Sequence, residues 1–198
     1  MPIATQHARS QPMKFTATRL PDVVLIEPTV FGDDRGWFME SFSQKRFVDG
    51  LAALGLPAPR PFVQDNESMS ARGVLRGLHY QLPPHAQGKL VRVVQGAALD
   101  VAVDIRRGSA TFGQWATAEL SAANRHQLWI PEGFAHGFVA LEDNTRFFYK
   151  TTDFYAQDCE RAIRWDDARI GIRWPDGLQS KLASKDAQAP LLADAEVF

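Results

Sequence analysis

Short strand-like segments follow one another through the middle of the chain. In the segment LDVAVDI at 99–105, the four large apolar residues fall on one face of a strand, and Asp100 and Asp104 fall on the other. Glycine, proline or Asx residues separate such segments. Many short strands with frequent turns favour a closed barrel or sandwich over βαβ units. The pattern predicts an all-β jelly roll with small helical decorations. Further strands are predicted at 90–94, 127–130, 138–141 and 146–150.

One stretch has helical spacing instead. Phe47, Leu51 and Leu54 recur at intervals of four and three, which places them on one face of a helix. Ser43 precedes the stretch as a candidate N-cap, and Gly55 follows it as a candidate terminator. The pattern therefore predicts a helix between these two residues.

Length and composition fit one folded domain. The chain has 198 residues, of which 45% are hydrophobic, enough for one substantial core. The first twelve residues are mostly polar and lack a periodic pattern. We predict a flexible N-terminal extension at 1–12 and a single domain at 13–198.

Charge and hydropathy argue against several classes of partner. The 22 basic and 23 acidic residues leave a net charge of -1, so no overall field attracts nucleic acid or an anionic membrane. No apolar run approaches the roughly 20 residues that cross a bilayer. The chain begins without an apolar signal core, and Cys159 is its one cysteine. We predict a cytoplasmic protein with no nucleic-acid or membrane partner.

Two of the five histidines lie beside glycines in strand-like segments. His79 ends the segment RGLH, and His136 lies within GFAHG. Glycine next to a polar residue in a strand suggests a bulge or the close approach of a ligand. A core histidine bonded to a backbone carbonyl is the alternative for both. His7, His85 and His126 lie in polar or loop segments, and we predict no site there.

The second of these histidines belongs to a cupin-like motif. The segment PEGFAH at 131–136 fits the pattern P-x-G-x-x-H. Metal-binding cupins add an H-x-H pattern from another strand, but that strand reads His79-Tyr80-Gln81 here. Two histidines are too few for a divalent site, which usually has roughly three or four protein ligands. We predict a cupin-type jelly-roll β-barrel with a polar cavity, no metal, and acid–base chemistry.

Basic and phenolic side chains complete the candidate chemistry. Arginine binds phosphate oxygens with two parallel hydrogen bonds, so Arg35 and Arg76 together suit a diphosphate. Lys89 presents a compact charge that suits a developing oxyanion. We interpret Arg92 as a side chain that extends from the barrel wall to water. Tyr149 has the strand parity of an inward-pointing residue, with a core ring and a hydroxyl at the rim as the alternative.

Several segments, in matching order along the chain, resemble the dTDP-4-dehydrorhamnose 3,5-epimerase family. The resemblance runs from about Asp22 to about Asp194, and multi-residue blocks at matching spacing are specific. The segments are FGDDRGWFMESF (31–42), FVQDNESMSARGVLRGLHYQ (62–81), AQGKLVRVVQGAALDVAVDIRRGSATFGQW (86–115), LWIPEGFAHGF (128–138), FFYKT (147–151) and SKD (184–186).

The resemblance implies a jelly-roll homodimer that works without a metal or nicotinamide cofactor. It implies an isomerase of dTDP-L-rhamnose biosynthesis that inverts C3 and C5 of dTDP-4-dehydro-6-deoxy-D-glucose, giving dTDP-4-dehydro-L-rhamnose. Each inversion removes a proton beside the C4 ketone and returns one to the opposite face, so two different acid–base groups are expected. The apolar residues Trp37, Phe38 and Phe42 are candidates for the dimer interface.

The resemblance also implies a role for each matching position. His79 is the expected general base, and Asp186 orients and charges it. Tyr149 is the expected acid on the opposite ring face, Lys89 lies near the C4 carbonyl oxygen, and Tyr155 stacks on thymine. Some substrate contacts in the family come from the neighbouring subunit. The other implied substrate-binding residues are Arg35, Glu40, Gln64, Asn66, Arg76, His136, Glu160 and Lys185.

Two alternatives stay open on these residues. A mono-epimerase that inverts only C3 or only C5 of a dTDP-4-keto-6-deoxysugar shares the histidine and often the tyrosine. A sugar-binding cupin without turnover, or a metal cupin, is the other. Retention of His79, Lys89, Tyr149 and Asp186 together argues against a protein that only binds sugar.

Overall fold

Two antiparallel sheets form the body of the chain in a computed structural model that describes residues 13–177 and 181–198. The six-stranded sheet has the spatial order β1 (Lys14–Ala17), β2 (Val24–Glu27), β10 (Gln127–Ile130), β7 (Lys89–Gln95), β12 (Thr145–Thr151) and β5 (Gln64–Ser70). The five-stranded sheet has the order β13 (Glu160–Ala162), β6 (Leu75–Gln81), β11 (Phe134–Ala140), β8 (Ala97–Asp104) and β9 (Trp115–Ser121).

Smaller elements decorate these sheets. A separate hairpin pairs β3 (Val30–Asp33) with β4 (Gly36–Met39). The helices are α1 (Gln44–Ala53), α2 (Ser184–Ala187) and a 3₁₀ turn at Gln157–Cys159. The predicted all-β, cupin-type jelly-roll barrel with small helical decorations is confirmed.

The main core lies between the two sheets, where apolar side chains from both meet. The six-stranded sheet supplies Val91, Leu128 and Phe147, and the five-stranded sheet supplies Ala102 and Phe138, among others. The rings of Phe138 and Phe147 stack with their centroids 4.0 Å apart. This packing closes much of the barrel interior and leaves room for a site toward one end.

Both sheets are also covered on their outer faces. Helix α1 packs Phe47 and Leu51 against the outside of the six-stranded sheet. The C-terminal segment packs Ile163 and Leu192 against the outside of the five-stranded sheet. Strand β8 is therefore buried on both faces, and Asp100 faces the barrel interior. For this reason, the alternation of apolar and polar residues could not show whether the face that carries Asp100 meets solvent or a cavity.

The predicted helix is confirmed with its two boundary residues. The Ser43 side chain accepts a hydrogen bond from the backbone N–H of Arg46, and Gly55 has a φ of 75°. Leu54 differs from the prediction because it forms the C-cap and is 37% exposed, whereas Phe47 and Leu51 are buried.

The N-terminal extension predicted at 1–12 lies outside the described residues. The single domain predicted at 13–198 stays a prediction. Within the described ranges, no helix has the length and apolar character needed to cross a membrane.

Candidate active site

A polar cavity of about 510 Å³ opens between the sheets, and a smaller one of about 140 Å³ adjoins it. His79, Lys89, Tyr149 and Glu160 line both. Every residue predicted for the site except Arg35 and Glu40 lines one of the two cavities. The first cavity also contains Arg76, His136, Lys185 and Asp186, and the second contains Gln64, Asn66 and Tyr155.

Two glycines bring the strands that carry the histidines into close contact. A Cβ on Gly77 of β6 would lie 2.5 Å from the Cα of Gly137 on β11, so no larger residue fits there. The register between β6 and β11 shifts just after His136, which confirms the expected bulge. His79 and His136 are direct partners across the two strands, so both side chains reach the same cavity.

His79 is held by a carboxylate from the distant C-terminal segment. Its Nε2–H donates to Oδ1 of Asp186 at 2.7 Å, and the backbone N–H of Gly77 donates to Oδ2 at 3.4 Å. Burial acts to raise the pKa of Asp186, but the hydrogen bond and charge of His79, with smaller contributions from Gly77 and Lys185, outweigh it, so this pKa lies below its ordinary value. An ionised Asp186 fixes the proton on Nε2 and leaves Nδ1 as the basic nitrogen.

His136 has a carboxylate partner of its own. Its Nε2 lies 2.8 Å from Oδ2 of Asp100, which is fully buried on β8. Within the described part of the chain, Oδ1 of Asp100 has no hydrogen-bond partner. Burial raises the pKa of Asp100, although the charges of His136 and Lys89 oppose the shift. Asp100 was not predicted as a site residue, because its only signal in the sequence was an aspartate within an apolar strand.

Lys89 lies between these two pairs. Its Nζ donates to the backbone carbonyl of His79 at 3.5 Å, a long contact. Burial lowers the pKa of Lys89 to about 8, while the negative charges of Asp100 and Glu160 oppose the shift. Near neutral pH the side chain is therefore mainly an ammonium ion in a cavity that shields it from water.

Tyr149 projects from β12 into the same space, as the strand parity allowed. Its hydroxyl has no hydrogen-bond partner among the described residues, and its ring lies 6.4 Å from that of Phe147, centroid to centroid. Burial raises the pKa of Tyr149, so the phenol stays protonated at neutral pH. The ring also packs against the core between the sheets, so the alternative, a core ring with its hydroxyl at the rim, agrees with this position as well.

A charged network borders the cavities. Oε1 of Glu160 accepts a hydrogen bond from Lys185, and Oε2 accepts one from the Tyr155 hydroxyl, both at 3.1 Å. Burial acts to raise the pKa of Glu160, but these two hydrogen bonds hold it below its ordinary value. The Tyr155 ring is 55% exposed, which leaves it open to a flat ligand.

Polar side chains form another part of the wall. Nε2 of Gln64 donates to Oδ1 of Asn66 at 2.9 Å, and Oε1 of Gln64 accepts from the backbone N–H of Tyr155 at 3.1 Å. The Arg76 side chain donates to Oγ of Ser70 at 3.2 Å. This contact orients Arg76 and leaves much of its guanidinium for an anion in the cavity.

The two remaining predicted residues lie outside both cavities. Arg35 is in the exposed turn of the β3–β4 hairpin, where its guanidinium pairs with Asp33. Glu40 follows the hairpin and pairs with Arg46 at 3.3 Å. Within one copy of the chain these side chains do not join the site.

Gln81 occupies the position of the second histidine of H-x-H in metal cupins, and it makes structural hydrogen bonds instead. Gln81 donates to the backbone carbonyls of His85 (2.6 Å) and Phe154 (3.2 Å) and accepts from the N–H of Ala156 (2.9 Å). Its side chain therefore holds a loop in place. Over residues 13–177 and 181–198, no cluster of three or more histidine, cysteine or acidic residues could hold a metal ion.

Arg92 stands on the outer face of β7, with its guanidinium carbon 5.4 Å from the ring centroid of Phe148. It is not part of either cavity. Phe147 and Lys181, by contrast, line the larger cavity without having been predicted for it. Neither was predicted because the sequence pattern indicates an ordinary core residue at Phe147, and Lys181 follows a segment with no strand pattern.

Comparison with known proteins agrees with this site. A family model described as dTDP-4-dehydrorhamnose 3,5-epimerase matches residues 17–194. A protein of that name from Pseudomonas aeruginosa is 56% identical over 186 residues, which are 94% of this chain and 99% of that protein.

Solved structures give the same result. A 3,5-epimerase from Legionella pneumophila in complex with dTDP-4-keto-L-rhamnose has a TM-score of 0.85 and 49% identity, covering 92% of this chain and 94% of that one. A 3'-monoepimerase from Streptomyces bikiniensis in complex with dTDP-quinovose has a TM-score of 0.80 and 34% identity, covering 91% and 88%. The chain belongs to the dTDP-4-dehydrorhamnose 3,5-epimerase family.

Proposed function

We propose that this chain converts dTDP-4-dehydro-6-deoxy-D-glucose to dTDP-4-dehydro-L-rhamnose, a step of dTDP-L-rhamnose biosynthesis, by inverting C3 and C5. The observation that carries the proposal is one cavity that contains the His79–Asp186 pair, Tyr149 and Lys89. These are a paired base, a protonated acid and a cation, the groups that proton exchange beside a ketone requires.

His79 removes the proton. With Nε2 bound to Asp186, Nδ1 accepts a proton from C3 or C5, and the carboxylate stabilises the imidazolium that forms. The fixed tautomer keeps the same nitrogen directed at the substrate in each cycle.

Lys89 stabilises the charge that proton removal creates. The electrons of the broken C–H bond move to the C4 oxygen, giving an enolate beside the ammonium group. The protein surrounds much of Lys89, so less solvent screens its charge and its field is stronger than in water. Without such a cation, neutral imidazole is too weak a base for a proton beside a ketone.

Tyr149 returns a proton to the other face of the ring. Burial raises its pKa, which keeps the phenol ready to donate at neutral pH. The enolate collapses as the new C–H bond forms, and the configuration at that carbon is inverted.

The other cavity residues bind the nucleotide. Arg76 and Lys185 attract the diphosphate, and the exposed ring of Tyr155 stacks on thymine. The remaining polar contacts come from Gln64, Asn66, His136 and Glu160. No metal or nicotinamide cofactor takes part in this scheme.

The active unit in this proposal is a homodimer in the cytoplasm. Phe31, Trp37 and Phe38 of the β3–β4 hairpin are 51%, 57% and 68% exposed, more apolar surface than a short hairpin needs. A second copy that covers this hairpin would bring Arg35 and Glu40 near its own cavity, where they complete the substrate contacts.

Proton NMR in deuterated water tests the proposal. The EDTA-treated protein is incubated with dTDP-4-dehydro-6-deoxyglucose, and the product is trapped by reduction. We expect deuterium at both C3 and C5 and the L-rhamno configuration. Exchange and inversion at only one carbon would indicate a mono-epimerase, and no exchange would indicate a protein that only binds sugar nucleotides. Activity lost with EDTA and restored by a metal ion would contradict the metal-free scheme.

The Tyr149→Phe variant separates the two proton transfers in the same assay. We expect deuterium exchange to persist in part, because His79 is intact, while correct inversion is lost. Full epimerase activity in this variant would assign the acid role to another group.

A further inference from the structure

A second basic cavity, of about 580 Å³, lies outside the barrel, beyond the ends of strands β8 and β9. We call it the arginine cavity, because three arginines line it. Arg19 comes from the β1–β2 connection, Arg107 from the β8–β9 connection and Arg169 from the C-terminal segment. None of the residues that line the catalytic cavities lines this one.

These arginines lack the partners that neighbouring arginines have. The side chains of Arg107 and Arg169 make no hydrogen bond or ion pair with any described residue, and Arg19 only lies over Trp115, 5.3 Å from the ring centroid. Arg106, next in sequence to Arg107, pairs with both Asp22 and Asp104 at 2.7 Å. Among the described residues, no acidic side chain lines the cavity.

Apart from Gln114, the remaining wall is apolar and partly aromatic. Ile170 and Leu192 are buried, whereas Phe112 is 37% exposed and presents its ring to the space. A ligand with several negative charges and a flat or apolar body matches these walls, since guanidinium groups bind phosphate oxygens and rings pack against rings. With a net charge of -1, the chain has no extended positive field that would suit nucleic acid.

A buried carboxylate fixes the walls before any ligand binds. Oδ1 of Asp167 accepts from the backbone N–H of Arg169 at 2.8 Å, and Oδ2 accepts from the backbone N–H of Leu192 at 2.7 Å. Asp167 is 3% exposed and joins the two C-terminal stretches that line the cavity. A preorganised wall reduces the entropy lost on binding.

We propose that the arginine cavity is a second binding site, separate from the catalytic one, for a small molecule that carries a diphosphate group. Arg107 and Arg169 hold the phosphate oxygens, Arg19 adds charge from the side, and the body of the ligand packs against Phe112. This site is independent of the epimerase reaction, so a failure of either proposal leaves the other standing.

Isothermal titration with inorganic pyrophosphate tests the site on the full chain. We expect two sites per chain in the unmodified protein, one lost in Arg76→Gln and the other lost or weakened about tenfold or more in the Arg107→Gln/Arg169→Gln double variant. Arg173→Gln is the matched control, because Arg173 is also exposed and has no side-chain partner among the described residues, but lies outside the cavity. Thermal unfolding confirms that each variant is folded, and the double variant keeps full epimerase activity.

Three outcomes would overturn the proposal. One is a single pyrophosphate site in the unmodified protein that Arg76→Gln abolishes and the double variant keeps. Another is a double variant that still binds two. The third is an equal loss in Arg173→Gln, which would mean attraction to surface charge in general. Arg107→Lys, which keeps the charge but not the paired donors, should give an intermediate affinity.

Discussion

Two histidine–aspartate pairs lie side by side in this barrel, yet their surroundings differ. The His79 side chain is 25% exposed and its partner Asp186 is 2% exposed, whereas the values for His136 and Asp100 are 9% and 0%. The first pair joins a strand to the C-terminal segment, and the second joins two neighbouring strands. We therefore expect the open pair, His79–Asp186, to exchange protons with the substrate, and the closed pair, His136–Asp100, to act only through its electrostatic influence on its neighbours.

Lys89 connects the two pairs. It contacts the backbone of His79, and the charge of Asp100 counteracts the effect of burial on its pKa. In the proposed reaction, the closed pair would therefore act through the charge state of Lys89. Four predictions test this division of roles.

The largest effect should follow the loss of the open pair's base. We expect His79→Gln to lower kcat by about 10⁴-fold, near the upper range for one acid–base group, and to abolish deuterium exchange at both carbons. His126→Gln is the matched control, because His126 lies in a turn away from both cavities. Substantial exchange in His79→Gln would mean that another group removes at least one proton.

Loss of the carboxylate of the open pair should lower kcat somewhat less. Asp186→Asn keeps the size of the side chain but removes the charge that fixes the tautomer and stabilises the imidazolium, so we expect kcat to fall about 10³-fold. Asp194→Asn is the control on the same segment, since its side chain has no described partner and lies outside the cavities. Equal rates for the two variants would show that His79 needs no carboxylate.

Loss of the carboxylate of the closed pair should change the pH profile most clearly. Lys89 is protonated below its pKa of about 8, so the rate should fall as the pH rises through that value. Asp100 raises this pKa, and Asp100→Asn should therefore move the alkaline limb to lower pH while lowering kcat about tenfold. We would measure kcat from pH 6 to 10, with Asp104→Asn, a buried aspartate of the same strand, as control. An alkaline limb at the same pH in Asp100→Asn as in the unmodified protein would show that Asp100 does not influence the pKa of Lys89.

The smallest expected effect is a gain in stability. A lysine whose pKa falls from 10.5 to about 8 on folding binds fewer protons in the folded state, which disfavours folding below about pH 8 and has no effect above about 10.5. Lys89→Met should raise the free energy of unfolding at pH 7 by about 1 kcal/mol, with activity lost. This is less than the roughly 3 kcal/mol of the full shift, because methionine leaves the charges of Asp100 and Glu160 without a nearby cation. Denaturant unfolding at pH 7 and 10 measures this, and a gain that does not shrink at the higher pH would contradict the explanation.

Much of the fold could be predicted from the order of apolar and polar residues. The strand predicted at 127–130 matches β10 residue for residue, and the helix has its cap at Ser43 as expected. Strand β11 begins at Phe134, four positions before the predicted 138, because the GFAHG segment already pairs with β8 despite its glycines and its histidine. Burial on both faces of the sheet overrides the local preference of those residues.

Only part of the site could be predicted from the sequence. Local patterns singled out His79 and His136 by their glycines, since only glycines allow β6 and β11 to approach so closely. Asp186 could be assigned by family resemblance alone, because the contact that gives it a role spans 107 positions in the chain. Asp100 could not be predicted as a site residue, because the alternation of apolar and polar residues shows only which residues share a face of the strand. The packing of both sheets decides which face lines a cavity.

The strand pattern, the capped helix and the types of chemical group available all follow from the order of residues along the chain. The pairing of His79 with Asp186, the burial of Asp100 beside His136, and the position of Arg35 outside the cavity of its own chain follow only from folding. Hydrophobic periodicity and capping are local properties, whereas desolvation and charge pairing depend on which distant segments fold against each other.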